Sequence, residues 1–162
     1  MEARTAGGQL STLELTAWRG LLRTQAWLER ELDRKLLDAE GLSLSSYEVL
    51  LRLAQAEGMR MRMRDIAGSL LISRSGLTGI VNELERRGYV TRERTADDGR
   101  GIEAALTKTG LAAFRKAHRV HLTGVRELFL RHLSDEQLRQ LAGVWAAVGN
   151  AAGPDLASPQ GR

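Results

Sequence analysis

Between Met59 and Leu106 the spacing of apolar residues changes from alternating to helical and back, and few folds accommodate that order. The run "MRMRMR" alternates as a strand covered on one face does. "RDIAGSLLIS" and "SRSGLTGIVNELERRG" follow with helical spacing, and "YVTRERTADDGRGIEAALT" returns to an extended pattern around a polar, glycine-bearing tip. Two short helices joined by so tight a turn spell helix-turn-helix. A hairpin after them and an extended piece before them make a small three-stranded sheet, with Met59, Met61 and Met63 inward and Arg60 and Arg62 outward.

Residue chemistry places the boundaries. In the second helix of the pair Ser73 is the N-cap, Leu77, Ile80, Val81 and Leu84 form the buried edge, and Gly88 closes the C-terminus. Arg74, Ser75, Thr78, Gly79 and Asn82 fall on the opposite face. In the first helix Ile66, Ala67, Leu70 and Leu71 continue the apolar pattern. Arg62 stands at its N-cap and Arg64 in its first turn, where cations oppose the macrodipole and only Asp65 has the helpful sign. Approaching phosphates would explain those cations, and so would tolerance of a poor cap. The hairpin strands run Tyr89 to Arg94 and Ile102 to Leu106.

Long helices flank this middle. Leu15, Trp18, Leu22, Gln25, Leu28, Leu32 and Leu36 mark a stripe on a helix from about Ser11 to Ala39, which Gly41 ends. Ser43 caps the next, with Leu42 and Tyr47 placed for a hydrophobic staple, and that helix runs to near Gly58. Thr107 caps a long helix carrying Leu111, Phe114, His118, Leu122 and Val125; a capping box from Ser134 to Gln137 starts a last one with Leu138, Leu141, Trp145 and Val148 on one stripe. Residues 1–10 and the tail 151–162 have no apolar pattern and are expected to be flexible.

The chain has 162 residues, 43% of them apolar, which suits one globular domain over 11–150. It has no cysteine, so disulfides and cysteine-ligated zinc are excluded. His118 and His121, three apart on one helix, make a poor metal site by themselves, and neither a metal nor another cofactor is expected. There is no membrane-length apolar run and no secretory signal, so the expected address is the cytoplasm. From Met59 to Gly101 nine basic residues face six acidic ones, so +3 of the net +4 lies in the middle of the chain. No nucleophile with an adjacent base and no phosphate loop suggests an enzyme.

"DDGRGIEAALTKTG", with Asp98, Arg100, Leu106, Thr107 and Gly110 in register, together with "RDIAGSLLIS" and "GLTGIVNELERRGYVTR", resembles the MarR family of bacterial winged helix-turn-helix regulators over residues 11 to 149. The chain departs from that pattern at Gly79, where the family usually has arginine, and at Arg62, where it usually has Thr or Ser. The resemblance implies a mainly α, α+β fold: a winged helix-turn-helix lobe over 59–107, with 11–40 and 108–150 as dimerisation helices. It implies a homodimer on a pseudo-palindromic double-stranded operator, and repression is the expected direction because blocking a promoter needs only occupancy. DNA contacts are expected from Arg62, Arg64, Ser73, Arg74, Ser75, Thr78, Asn82, Arg92, Arg94 and Arg100, with Asp98 bracing Arg100 in the wing. Relatives often bind small aromatic or phenolic acids, for which Trp18, Arg23, Trp27 and Tyr47 are the candidate lining here, and simple core packing is the alternative for those rings. The competing function is a winged-helix protein-interaction module without specific DNA binding.

Overall fold

The computed structural model describes residues 8–70, 72–94 and 101–152. The helices are α1 (Thr12–Glu40), α2 (Leu44–Gln55), α3 (Met63–Leu70), α4 (Arg74–Arg86), α5 (Lys108–Leu128) and α6 (Asp135–Ala152). The strands are β1 (Arg60–Arg62), β2 (Val90–Arg94) and β3 (Ile102–Leu106), and single 3-10 turns lie at Glu57–Met59 and Leu130–His132. The chain divides into two compact units, 1–123 and 124–162, where one domain was expected. Residues 1–7, Leu71, 95–100, which include Asp98 and Arg100, and the tail 153–162 lie outside the described residues, as does the Arg74 side chain.

The helix starts follow the serines and one threonine. Ser11 accepts the N–H of Glu14 and the Glu14 carboxylate accepts the N–H of Ser11. Ser43 accepts from Ser46 N–H at 3.1 Å, and Ser73 from Gly76 N–H at the same distance. Ser134 and Gln137 form the expected reciprocal pair. Asp33 reaches across from α1 to accept the Leu44 N–H at 2.7 Å, so one unsatisfied amide of α2 is met from outside its own helix.

In the first unit the core is continuous from Leu36 and Leu42 through Tyr47, Val49, Leu50 and Leu53 to Ile66, Leu77, Val81, Leu84, Val90, Ala104 and Ala117. The three strands pair antiparallel in the order β1-β3-β2. Met61 and Arg92 both stand opposite Ala104, so they share the sheet face that carries buried Val90 and Leu106; Arg60, Arg62, Glu93 and Glu103 occupy the other face. Gly110 locks α5 onto the start of β2. A Cβ there would sit 2.0 Å from the Tyr89 carbonyl oxygen, so only glycine allows the approach. The Thr107 hydroxyl beside it donates to the Gly88 carbonyl at 2.7 Å and accepts the Gly110 N–H at 2.9 Å.

Met59 departs from the expected alternation. It has φ 54 inside the 3-10 turn, directly after Gly58 at φ 62, and is 38% exposed. The turn reverses the chain before the strand begins, which leaves only Met61 and Met63 packed against the core.

In the second unit Leu138 and Leu141 are half-buried, while Val144, Trp145 and Val148 on α6 are exposed.

Candidate nucleic-acid interface

The buried edge of α4 determines which residues it offers outward. Leu77, Val81 and Leu84 are at most 1% exposed, and Ile80 packs partly against the core. At 3.6 residues per turn this turns Ser75, Thr78, Gly79 and Asn82 to the open side, and all four are exposed. The Ser73 and Ser75 hydroxyls lie 3.1 Å apart at the N-terminal end of this stripe. A Cβ on Gly79 would meet nothing within 4 Å, so the stripe has a bare backbone patch at its middle.

The expected cations are distributed unevenly. Arg64 is exposed and paired with Asp65 at 3.3 Å. Arg62 is half-buried on the outer sheet face, opposite Glu103, and Arg94 is exposed at the end of β2. Neither has an ion pair among the described residues. Arg60, next to Arg62, reaches Glu93 across the sheet at 3.4 Å. At the C-terminus of α4, Glu83 accepts from Arg86 and, at 2.7 Å, from Arg87. Those two guanidinium bonds hold the Glu83 carboxyl below the usual carboxylate range. Arg87 also donates to the Gly41 carbonyl at 2.9 Å, tying the end of α1 to α4.

Arg92 is engaged within its own chain. Its Nε and Nη2 donate to one oxygen of Glu85 at 3.0 and 2.6 Å, and Nη2 also donates to the Asn82 amide oxygen. The Glu85 carboxyl is held below its ordinary range by these bonds, against a smaller opposing effect of burial. Glu85 was not among the expected site residues. Its signal is in the parity of β2: Arg92 is two residues from inward-facing Val90, so its side chain leaves the strand on the α4 side, where Asn82 and Glu85 stand one turn apart.

The four residues expected to line an effector crevice are not brought together. Tyr47 is 2% exposed, its ring stacked on His121 at 4.5 Å and near Phe114 and His118, and its hydroxyl is 2.9 Å from His118 Nδ1. Burial first and Glu48 second push the Tyr47 phenol up to about 12, so this group belongs to the core. His121 Nδ1 is buried without a hydrogen-bond partner, and burial, then His118, lowers the pKa of that ring. On α1, Trp18 and Trp27 are 52% and 37% exposed. They are about two and a half turns apart and so lie on opposite faces; Arg23 and Trp27, one turn apart, share a face. No group of three or more metal-ligating side chains occurs among the described residues.

This arrangement is similar to that of known proteins. A family model described as MarR family matches residues 40–101. The homoprotocatechuate degradative operon repressor of Escherichia coli is 31% identical over 103 residues, 62% of this chain and 70% of that protein. Among solved structures, AbsC, a MarR family transcriptional regulator from Streptomyces coelicolor, superposes with a TM-score of 0.81 at 33% identity, covering 90% of this chain and 98% of that one. Sco3205 from the same organism, a MarR family transcriptional regulator solved in complex with DNA, gives a TM-score of 0.82 at 32% identity over 90% and 95%. With the helix-turn-helix, the three-stranded sheet and these likenesses in agreement, the chain belongs to the MarR family of transcriptional regulators.

Proposed function

We propose that this chain binds double-stranded DNA sequence-dependently as a homodimer on a pseudo-palindromic operator, and represses until a small aromatic acid or phenol releases it. The observation that carries the reading is α4 itself: a helix capped by Ser73, pinned along one edge by Leu77, Val81 and Leu84, with Ser75, Thr78, Gly79 and Asn82 turned outward. Residues near the N-terminus of such a helix reach base edges in the major groove, while Arg62, Arg64, Arg94 and the wing arginine Arg100 suit backbone phosphates. The DNA complex of Sco3205 supports this assignment.

The dimer is supported by apolar surface that is left uncovered among the described residues. Leu13, Trp18, Leu21 and Leu22 on α1 and Val144, Trp145 and Val148 on α6 are all exposed. Exposed apolar faces of this kind mark contact surfaces, so we assign 11–40 and 108–150 to dimerisation and 59–107 to DNA reading. Two-fold symmetry then sets the half-sites about 34 Å apart, one helical turn of duplex. The action is cytoplasmic, where the DNA is; no helix among the described residues is long and apolar enough to cross a membrane. The effector class is supported by the E. coli relative, a repressor of the homoprotocatechuate degradative operon, and on this chain Arg23 with Trp27 is the pair that offers a cation beside an exposed ring.

The test is fluorescence anisotropy with the full chain on duplexes from upstream of its own gene and on random duplex, at moderate salt. Clear preference for the former, lost progressively as aromatic acids are titrated in, is the expected result. Equal binding to both overturns the reading. One observation favours a protein-interaction module instead: Arg60, Arg64, Arg86, Arg87 and Arg92 all have carboxylate partners, which reduces the free positive charge of the lobe. Arg74→Ala and Arg100→Ala separate the two: on DNA the first costs about 1–3 kcal/mol as a base contact and the second weakens all sequences alike with a shallower salt dependence, whereas an interaction module keeps its partner in both.

A further inference from the structure

The Asn82 side chain stands on the outward stripe of α4 with its amide oxygen engaged on the β2 side. Arg92 reaches it from β2 while the same guanidinium is anchored on Glu85. A guanidinium has donors only, so the chemistry of the pair decides which end of the amide faces it: the oxygen turns to Arg92 and the NH2 turns away. Forked recognition of adenine needs both ends of an asparagine amide at once, the oxygen accepting from N6 and the NH2 donating to N7. The oxygen keeps a second lone pair, but while Arg92 holds it towards β2 the amide is oriented with its NH2 turned away from the strand, and that end is the one a base edge meets first.

We propose that Arg92 is a positioning residue for base readout: by holding the Asn82 oxygen towards β2 it presents the Asn82 NH2 to the base, favouring an acceptor edge such as guanine O6/N7 or thymine O4 over adenine's paired edge. The inference rests on the DNA-reading assignment of α4 made above. Glu85 is the second half of the device. It takes two bonds from Arg92 and keeps the guanidinium, whose side chain is 26% exposed, at the rim of the helix and not out among phosphates. Gly79, one turn before Asn82 and without a side chain, leaves room for the donor to approach the groove floor.

The experiment is selection of binding sites from a randomised duplex library by the full-length protein and by Asn82→Ala, Arg92→Met and Arg92→Lys. Asn82→Ala flattens the preference at one base pair of each half-site. Arg92→Met frees the amide oxygen and shifts that same base pair towards adenine on the order of tenfold. Arg92→Lys restores the original preference, because an ammonium also only donates. Glu85→Gln loosens the anchor without touching the strand and gives a smaller shift in the same direction, which keeps the test informative should Arg92→Met unfold the protein. Two results overturn the proposal: Arg92→Met weakens all sequences alike with a shallower salt dependence, as loss of a phosphate contact does, or it leaves the selected motif unchanged. If the unsubstituted protein selects no motif at all, the DNA-reading assignment fails, and this is distinguishable from a motif that Arg92 does not govern.

Discussion

Trp18 and Leu36 lie on one stripe of one helix, about five turns apart, and meet opposite surroundings. Leu36 is fully buried against the lobe; Trp18 is 52% exposed. The same apolar periodicity therefore serves two purposes along α1. Its last turns, with Leu32 and Leu36, complete a core that the chain closes by itself, and its first turns carry Leu13, Trp18, Leu21 and Leu22 on surface left open among the described residues. Amphipathicity reports that a face will be covered, and says nothing of whether the cover comes from the same chain.

Truncating each end of that contrast sharpens it. Leu50 is 0% exposed in the core of the lobe, and Leu50→Ala is expected to cost about 2–5 kcal/mol in chemical denaturation. Trp18→Ser combined with Leu22→Ser is expected to leave the lobe's own unfolding unchanged and to raise the dissociation constant of the dimer by at least about tenfold in sedimentation equilibrium. A large loss of lobe stability from the α1 pair, with association intact, would show that the exposed stripe folds back onto its own chain and would end the comparison.

Glycine to alanine at three positions divides the molecule again. Gly110→Ala forces a Cβ into the Tyr89 carbonyl and is expected to cost about 1–3 kcal/mol, since the nearest atom is backbone and cannot step aside. Gly79 on α4 and Gly20 on α1 have nothing within 4 Å of the same position, and alanine at either is expected to stabilise its helix by about 0.5–1 kcal/mol. Thermal unfolding of the three variants checks this ordering.

Local chemistry made most of the architecture legible. The caps at Ser43, Ser73, Thr107 and Ser134, the buried edge of α4 and both strands of the hairpin follow from spacing and side-chain type alone. What escaped depends on contacts between distant segments. Tyr47 meets His118 across 71 residues, so its place in the core, and not in a crevice, could not be read from α2 by itself. The Arg92–Glu85–Asn82 group needed the sheet to lie against α4 in a known register. The failure at Met59 has a local cause: a left-handed residue following Gly58 converts what reads as continued alternation into a turn. The opposed faces of Trp18 and Trp27, by contrast, were present in their spacing all along.

Acid separates the two regions with the smallest effect. His121 is half-buried against Tyr47 and beside His118, and its folded-state pKa lies below the ordinary 6.5. Above that pH both folded and unfolded chains hold the ring neutral; as pH falls below it the unfolded chain binds the proton first, and stability is lost progressively down through the folded value. Glu48 acts in the opposite sense: burial raises its carboxyl, so its favourable contribution is present below 4.5 and is lost as pH rises through its folded value. Melting temperature followed from about pH 8 to about pH 5 is therefore expected to decline less in His121→Phe, which keeps a ring on Tyr47, than in the unsubstituted chain. The first turns of α1 carry no histidine, so association through Trp18 and Leu22 is expected to be flat over the same window. Parallel loss of melting temperature and association on acidification, with both abolished by His121→Phe, would mean that the lobe and the open stripe behave as one cooperative unit and not as two.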